Sequence, residues 1–537
     1  MVAWALGSGK RSCPAPIRCA SSSAPKHMLT LEALKLATTV DDLPRVEQAL
    51  LDMANKGHEA RATLRSTYYD TVAGRLRREG LVLCVHEQDR RYIQTVKTDG
   101  ISGTAFRRRG EWEDVIGAEQ PDLDAPNSGP RLPAGLYAAE LRARFTTVVR
   151  RAQIMLEPDV STQIDSVLDA GEIKTVEGNL SEPIREVRLQ LNRGDPAALY
   201  GIALRLLDVA PLRVEIRSKA ERGYSLLGTA IDRQETRGLL PFDLKRDMTV
   251  EETLQKIGWG CLTAVLRNER AVGANIPEGV HQMRVAIRRL RSVVNAVKRM
   301  LPHEQYEWVD RELKWLADIL GPARSWDVFS SDILAPIRSA LLSERDLEGF
   351  SRVAEQERRS SYGTANATIQ SKQYTTAVLK LSQWFASCGW RDQPVSQQSA
   401  LLMAPIGAVA PVLIARRYKR VRKAVGGIPE LTPRQRHEVR IAVKKLRYTI
   451  EFFGELFDAN KVAQFLQYLK PLQDDLGHTN DVRVANELLA TLQVAGDVAG
   501  IARAAGIVIG WHDRGLADHD RKLRRRVRKL RHAQPFW

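Results

Sequence analysis

The stretch His281-Gln-Met-Arg-Val-Ala-Ile-Arg-Arg-Leu-Arg291 decides how the second half of this chain reads, because it returns as His437-Glu-Val-Arg-Ile-Ala-Val-Lys-Lys-Leu-Arg447. In both copies a His is followed by basic residues at offsets +3, +7, +8 and +10, with mainly apolar residues between them. An α-helix turns about 100° per residue, so offsets 0, +3, +7 and +10 share roughly 80° of one face. A stripe of like charge repels itself. Two such stripes predict a polyanion lying along them.

The spacing around the stripes repeats as well. His281, Asp318 and Gly321 are matched by His437, Asp474 and Gly477, each 156 residues on. The matched ends read Leu316-Ala-Asp-Ile-Leu-Gly321 and Leu472-Gln-Asp-Asp-Leu-Gly477, and Asp327-Val328 and Asp481-Val482 follow with the register slipped by two. A motif and its gap recurring together imply an internal duplication, two similar helical bundles packed as one unit. His281, Arg284, Arg288 and Arg291 are expected on one wall of a groove. His437, Arg440, Lys444 and Arg447 are expected on the other, with Arg289 and Lys445 at the edges. Arginine suits phosphate because its planar fork binds two oxygens at once. Asp318 and Asp474 are expected to hold the arginines in place, and the Leu-Gly pairs to end helices. The run Arg416-Arg-Tyr-Lys-Arg-Val-Arg-Lys423 extends the basic surface. A solvated face is the usual meaning of a single charge run; the duplicated spacing favours function. Neither half of the repeat offers a nucleophile with a matched base, so this region reads as a binder.

Charge agrees with this division. The net charge is +17 over 537 residues, but residues 1–246 contribute only +3 (36 Lys+Arg against 33 Asp+Glu) and the remainder +14 (45 against 31). Nucleic acid, polyphosphate and anionic membranes are the partner classes such an excess suggests. The five scattered cysteines show neither a disulfide framework nor paired zinc spacing, which fits a reducing cytoplasm. The longest uncharged apolar run, Ala400 to Ala415, contains two prolines and is too short to span a membrane. Residues 1–27, rich in Ser, Pro and Ala, read as a disordered tail without a secretory signal, and Met28 is an alternative start.

Between the tail and residue 240 the pattern is that of strands. Thr30–Lys35, Ser66–Thr71, Leu81–His86, Arg91–Lys97, Phe145–Gln153, Ile164–Leu168, Ile184–Leu191 and Leu212–Ser218 are short, β-branched or alternating. Helices are expected near Leu43–Ala54 and Asp195–Val209, and a loop over Gln120–Pro133. The expected fold class is α+β: an antiparallel β-barrel at 28–240, a linker at 241–248, and an all-α domain at 249–537 with repeats at about 249–400 and 405–537.

Two family resemblances follow from these residues. The stretch from about Thr249 onward resembles a CHAD domain, a duplicated helical module that binds inorganic polyphosphate; the two His-x-x-Arg helices and the Leu-Gly…Asp-Val motifs carry the match. The N-terminal part resembles a CYTH domain, the triphosphate-tunnel fold, on Tyr68-Tyr-Asp-Thr71, Gln94-Thr-Val-Lys97, Gly110-Glu-Trp-Glu113, Asp169-x-Gly-Glu-Ile173 and Ser218-Lys-Ala-Glu-Arg-Gly-Tyr224. That resemblance implies triphosphate hydrolysis with Mg²⁺ or Mn²⁺, with Lys35, Lys97 and Lys219 on the phosphates and Glu111, Glu113, Asp169 and Glu186 on the metal.

Departures from the pattern are concentrated in the charged positions. The family's Glu-x-Glu-x-Lys strand is Leu31-Glu-Ala-Leu-Lys35 here, which keeps only the lysine, since Glu32 falls on the opposite face. Its Arg-x-Arg is Cys84-Val-His86, and a later carboxylate-rich strand keeps only Glu186. Arg150 or Arg151 supplies a remaining cation. Tyr68, Tyr69 and Trp112 are expected in the core. The leading expectation is a polyphosphate-binding protein with an impaired tunnel. An active inorganic triphosphatase is the first alternative. A nucleic-acid binder is the second, weakened by the scarcity of aromatics near the basic helices.

Overall fold

The computed structural model describes residues 33–54, 59–88, 91–98, 110–228, 238, 241–340, 345–425, 433–492 and 498–537. The expected tail, Cys13, Cys19, the beginning of the strand at Thr30 and Glu32 lie outside the described residues. The first half runs β1 (Ala33–Ala37), α1 (Leu43–Met53), β2 (Glu59–Thr71), α2 (Arg75–Arg78), β3 (Leu81–Gln88), β4 (Arg91–Thr98), β5 (Glu111–Ile116), β6 (Leu141–Asp159), β7 (Thr162–Thr175), β8 (Ser181–Arg193), α3 (Ala197–Val209), β9 (Arg213–Val214) and α4 (Lys219–Leu226). All pairings are antiparallel, in the order β5-β4-β3-β2-β6-β7-β8-β1-β9.

The expected barrel is therefore an open sheet: among the described residues its edges β5 and β9 are not bonded to each other. The strand expected at Leu212–Ser218 shrinks to the two residues of β9, since residues 215–218 have no regular structure and lead into a helix at Lys219. Ser218 accepts from the backbone of Glu221 while Glu221 accepts from the backbone of Ser218, a capping box that starts α4. Helix α4 packs on the sheet's inner face, where Ala220 and Tyr224 join Tyr68, Val82, Cys84, Phe145, Val149, Ile173 and Ile184 in one apolar cluster. A side chain at Gly223 would place its first carbon 2.2 Å from the Phe145 ring, so this close approach needs a glycine. The outer face is covered by α1 and α3 and by the loop that follows β5, and Tyr69 packs there with Leu83, Val85 and Val96. The period-2 alternation of the long strands separates these two faces.

The second half is helical: α5 (Val250–Gly273), α6 (Pro277–Val297), α7 (His303–Ile319), α8 (Gly321–Val328), a π-helical stretch (Phe329–Leu334), α9 (Ala335–Ala340), α10 (Arg345–Ile369), α11 (Lys372–Ala386), α12 (Ile406–Val425), α13 (Pro433–Phe453), α14 (Ala459–Leu492) and α15 (Val498–Arg531). The duplication reappears in the element starts: α12, α13 and α14 begin at 406, 433 and 459, against 250, 277 and 303 for α5, α6 and α7, an offset of 156 each time. The repeats differ at their Leu-Gly pairs. Leu320-Gly321 sits where α7 gives way to α8, but Gly477 lies within the continuous α14, so the expected helix ending holds only in the first copy. One hydrophobic core runs from the outer face of the sheet through α3 into both repeats. Polar links cross the same boundary, Lys372 to Asp208 at 2.9 Å and Arg213 to Glu269 at 3.1 Å. No helix is long and apolar enough to cross a membrane among the described residues.

Candidate functional site

The sheet places the sequence-predicted tunnel residues on one face, in two groups. Asp169 and Glu186 are register partners on β7 and β8, and both are buried. Lys219, at the first turn of α4, reaches between them, with Nζ at 2.6 Å from Asp169 Oδ2 and 2.7 Å from Glu186 Oε1. Of the two arginines expected as a remaining cation, Arg151 binds both oxygens of Asp169 at 2.8 Å, whereas Arg150 is exposed. Arg222 donates to Glu186 Oε2 at 3.1 Å and to Glu182 at 2.8 Å, and Lys35 lies 3.9 Å from Glu186 Oε2. Burial would raise the pKa of Asp169, but Arg151 and Lys219 overcome it and hold the carboxyl well below its usual range.

The second group sits on β4 and β5, with β3, β2 and β6 between it and β7. Lys97 pairs with Glu111, and Thr95 donates to Glu113 at 3.4 Å. His86 lies between the groups. Burial, the charge of Lys97 and, less strongly, that of Arg151 lower its pKa. The four expected metal ligands are therefore not gathered. All four oxygens of Asp169 and Glu186 already face an ammonium or guanidinium, and no three His, Cys, Asp or Glu side chains are grouped to hold an ion among the described residues. These residues do not fit a divalent cation, which needs free carboxylate oxygens around it.

The basic helices present the opposite situation. Helices α6 and α13 pack against each other, and their apolar positions, among them Ile287, Leu290, Val443 and Leu446, are buried. The interleaved cations are half-buried at the crossing. Arg284 donates to the backbone carbonyl of Ala317 at 2.5 Å. Burial together with the charges of Arg288 and Arg324 brings its pKa down to about 10. Lys444 is brought down to about 7 by burial and by Arg440 and Arg288. Burial and Arg324 lower His281. Among the described residues, Arg440 to Asp481 at 3.5 Å is the one ion pair made by Arg284, Arg288, Arg324, Arg440 and Lys444. The charge of Arg288 on α6 lowers the pKa of Arg440 and Lys444 on α13, and the two helices pack together, so the two stripes meet.

The remaining predicted residues divide differently from the expected walls. Arg289 and Arg447 share Glu451, at 2.5 and 3.1 Å, a clasp between the helices. Arg291 turns to Asp310 on α7 in a two-pronged contact of 2.7 and 2.9 Å. Lys445 is lowered by burial and by Arg417 and Arg291. His437 is half-buried on the same helix. The expected holders Asp318 and Asp474 are exposed. Asp318 pairs with Lys314 at 3.9 Å, and the carboxylates that hold site arginines are Asp310, Glu451 and Asp481 instead. Gly321 and Gly477 have parallel surroundings: a first side-chain carbon would sit 3.5 Å from Arg284 in one and 4.0 Å from Arg440 in the other. Arg324 was not anticipated. It lies three residues after Gly321, inside the segment where the two copies slip by two, so the repeat spacing does not flag it.

Two protein families match this chain. The CYTH domain family model matches residues 33–224 and the CHAD domain model residues 256–490. An uncharacterized protein of Mycobacterium tuberculosis is 28% identical over 343 residues, 60% of each chain, so this chain spans about 60% of the length of that curated relative. An inorganic triphosphatase of Haemophilus influenzae is 26% identical over 166 residues, 31% of this chain and 46% of that protein. Among solved structures, the CHAD domain of the plant Ricinus communis is 26% identical, covering 56% of this chain and 98% of that one at a TM-score of 0.48. The chain carries a CYTH domain at residues 33–224 followed by a CHAD domain at residues 256–490.

Proposed function

We propose that this protein binds inorganic polyphosphate at the crossing of α6 and α13, and that its tunnel hydrolyses triphosphate slowly or not at all. The observation that carries the first part is the set of five half-buried cations that share one ion pair among the described residues. Burying like charges together is unfavourable unless an anion completes the site. A chain of phosphates supplies one negative charge per unit and several oxygens for guanidinium forks. Arg284, Arg288 and Arg324 on one side, and Arg440 and Lys444 on the other, would hold it, with His281 and His437 at the ends of the stripes.

The second part rests on the closed ion network around Lys219. Triphosphate entering there would have to displace carboxylates from Lys219 and Arg151, and Mg²⁺ or Mn²⁺ would have to displace cations from Asp169 and Glu186. Titrating the full chain with long-chain polyphosphate tests the binding. Charge reversal at Arg284, Arg288, Arg440 and Lys444 is expected to abolish it, and unchanged affinity would contradict the proposal. Rapid Mg²⁺- or Mn²⁺-dependent phosphate release from triphosphate, lost in Lys97→Ala or Lys219→Ala, would show the tunnel to be active. Competition by duplex DNA or RNA at fixed salt separates the nucleic-acid reading.

A further inference from the structure

Helix α12 carries charge that neither the duplication nor the α6–α13 crossing accounts for. Its counterpart α5 is buried on most sides, and residues Gly260, Cys261 and Ala264 stand where α12 has Arg416, Arg417 and Arg420. The shared fold of the two repeats therefore does not require cations at these positions. Arg417 is 7% exposed, yet the hydrogen bond it makes among the described residues goes to a neutral acceptor, Asn295 Oδ1 of α6 at 2.8 Å. Asn295 is itself held by Tyr306 of α7 at 2.7 Å. A buried guanidinium facing only a neutral amide is an unmet demand for an anion.

Its neighbours deepen that demand. Arg416 and Arg420 act on Arg417, and Arg417, Arg291 and Arg420 act on Lys445. Asp310 is a carboxylate that acts on Lys445, and Arg291 already binds both of its oxygens. On the exposed side, Arg416, Lys419, Arg420, Arg422 and Lys423 continue the charge along the helix, and 406–425 contains no Asp or Glu. Arg291 and Lys445 belong to the same two helices as the central cluster, so this second basic surface adjoins the first.

We infer that the face of α12 around Arg417, with Arg291, Arg420 and Lys445, is a second phosphate subsite that takes the same polyphosphate chain where it leaves the α6–α13 crossing. This rests on the polyphosphate reading above and adds to it a preference for long chains. A short chain fills the central cluster alone. A long one also engages the second set of cations, without a second association step.

The test compares tripolyphosphate with long-chain polyphosphate on the full protein, in the wild type, in the exposed pair R416E/R420E and in R417Q. The expected result is a loss of roughly tenfold or more in long-chain affinity for R416E/R420E, with tripolyphosphate affinity unchanged. Its plot of log affinity against log salt should also flatten by about one unit for each phosphate that the variant no longer holds. R417Q should behave alike; because Arg417 is buried and its replacement can disturb packing, the exposed pair decides. Unchanged long-chain affinity in R416E/R420E overturns the subsite, while the central reading survives if R288E/K444E still loses both ligands. Absence of polyphosphate binding in the wild type overturns both. Duplex DNA binding lost in R416E/R420E, with long-chain polyphosphate binding intact, also overturns the proposal and gives the face to nucleic acid.

Discussion

The tunnel face and the α6–α13 crossing hold similar numbers of cations, but they differ in how far the protein's own carboxylates meet them. In the tunnel, Lys35, Arg151, Lys219 and Arg222 close around Asp169, Glu182 and Glu186, so each cation has a carboxylate partner within the fold. At the crossing, five cations share one ion pair among the described residues, with Asp481. A cationic lining is therefore not a binding site in itself. What marks a site is charge left uncompensated by the protein's own partners.

The largest effect should come from the crossing. R288E/K444E is expected to weaken polyphosphate binding by more than a hundredfold in a titration, since it converts two attractive interactions into repulsive ones (about 2.7 kcal/mol corresponds to a hundredfold). In the tunnel the same logic predicts a loss of stability rather than of binding. Asp169→Asn leaves Arg151 and Lys219 facing a neutral amide and should cost about 3 kcal/mol of unfolding free energy by denaturant titration, with polyphosphate affinity unchanged. A tunnel variant that folds normally but loses polyphosphate would break the comparison.

Lys444→Met should separate stability from function. A lysine whose pKa falls to about 7 on folding costs stability. That cost builds as pH falls from about 10 towards 7 and is constant below. Removing it should therefore stabilise the ligand-free protein by about 1 kcal/mol at neutral pH while weakening polyphosphate binding. The same group gives the binding a pH dependence. Lys444 faces Arg440, Arg288 and Arg447, with Asp481 as the opposing carboxylate. A bound phosphate restores its proton, so affinity should decline as pH rises above 7, by at most tenfold per unit, and Lys444→Arg should remove that slope. The smallest effect concerns metal: chelation should leave the melting temperature of the wild type unchanged, and a rise on adding Mn²⁺ that disappears in Asp169→Asn would revise the account of the tunnel.

The helical half was largely legible because its signals are local and doubled. The starts of α6 and α13 keep the 156-residue offset seen between His281 and His437. Partners were less legible, because a side chain's counter-ion is set by tertiary approach. Nothing in the spacing of Asp318 and Asp474 shows that they face solvent, or that Glu451 clasps two arginines from different helices. In the tunnel the missing Glu-x-Glu could be read directly from Leu31-Glu-Ala-Leu-Lys35. That Lys219 would sit between Asp169 and Glu186 could not, because it depends on a capping box that starts α4 directly after the expected strand and on the packing of that helix against the sheet.

The central claim is that uncompensated charge at the α6–α13 crossing, and not the tunnel, binds the polyanion. Calorimetric titration of long-chain polyphosphate into the wild type, R288E/K444E and Lys219→Met tests it most directly. The account predicts that wild type and Lys219→Met bind alike and that R288E/K444E does not bind. Equal binding by R288E/K444E and the wild type, or loss confined to Lys219→Met, would contradict it.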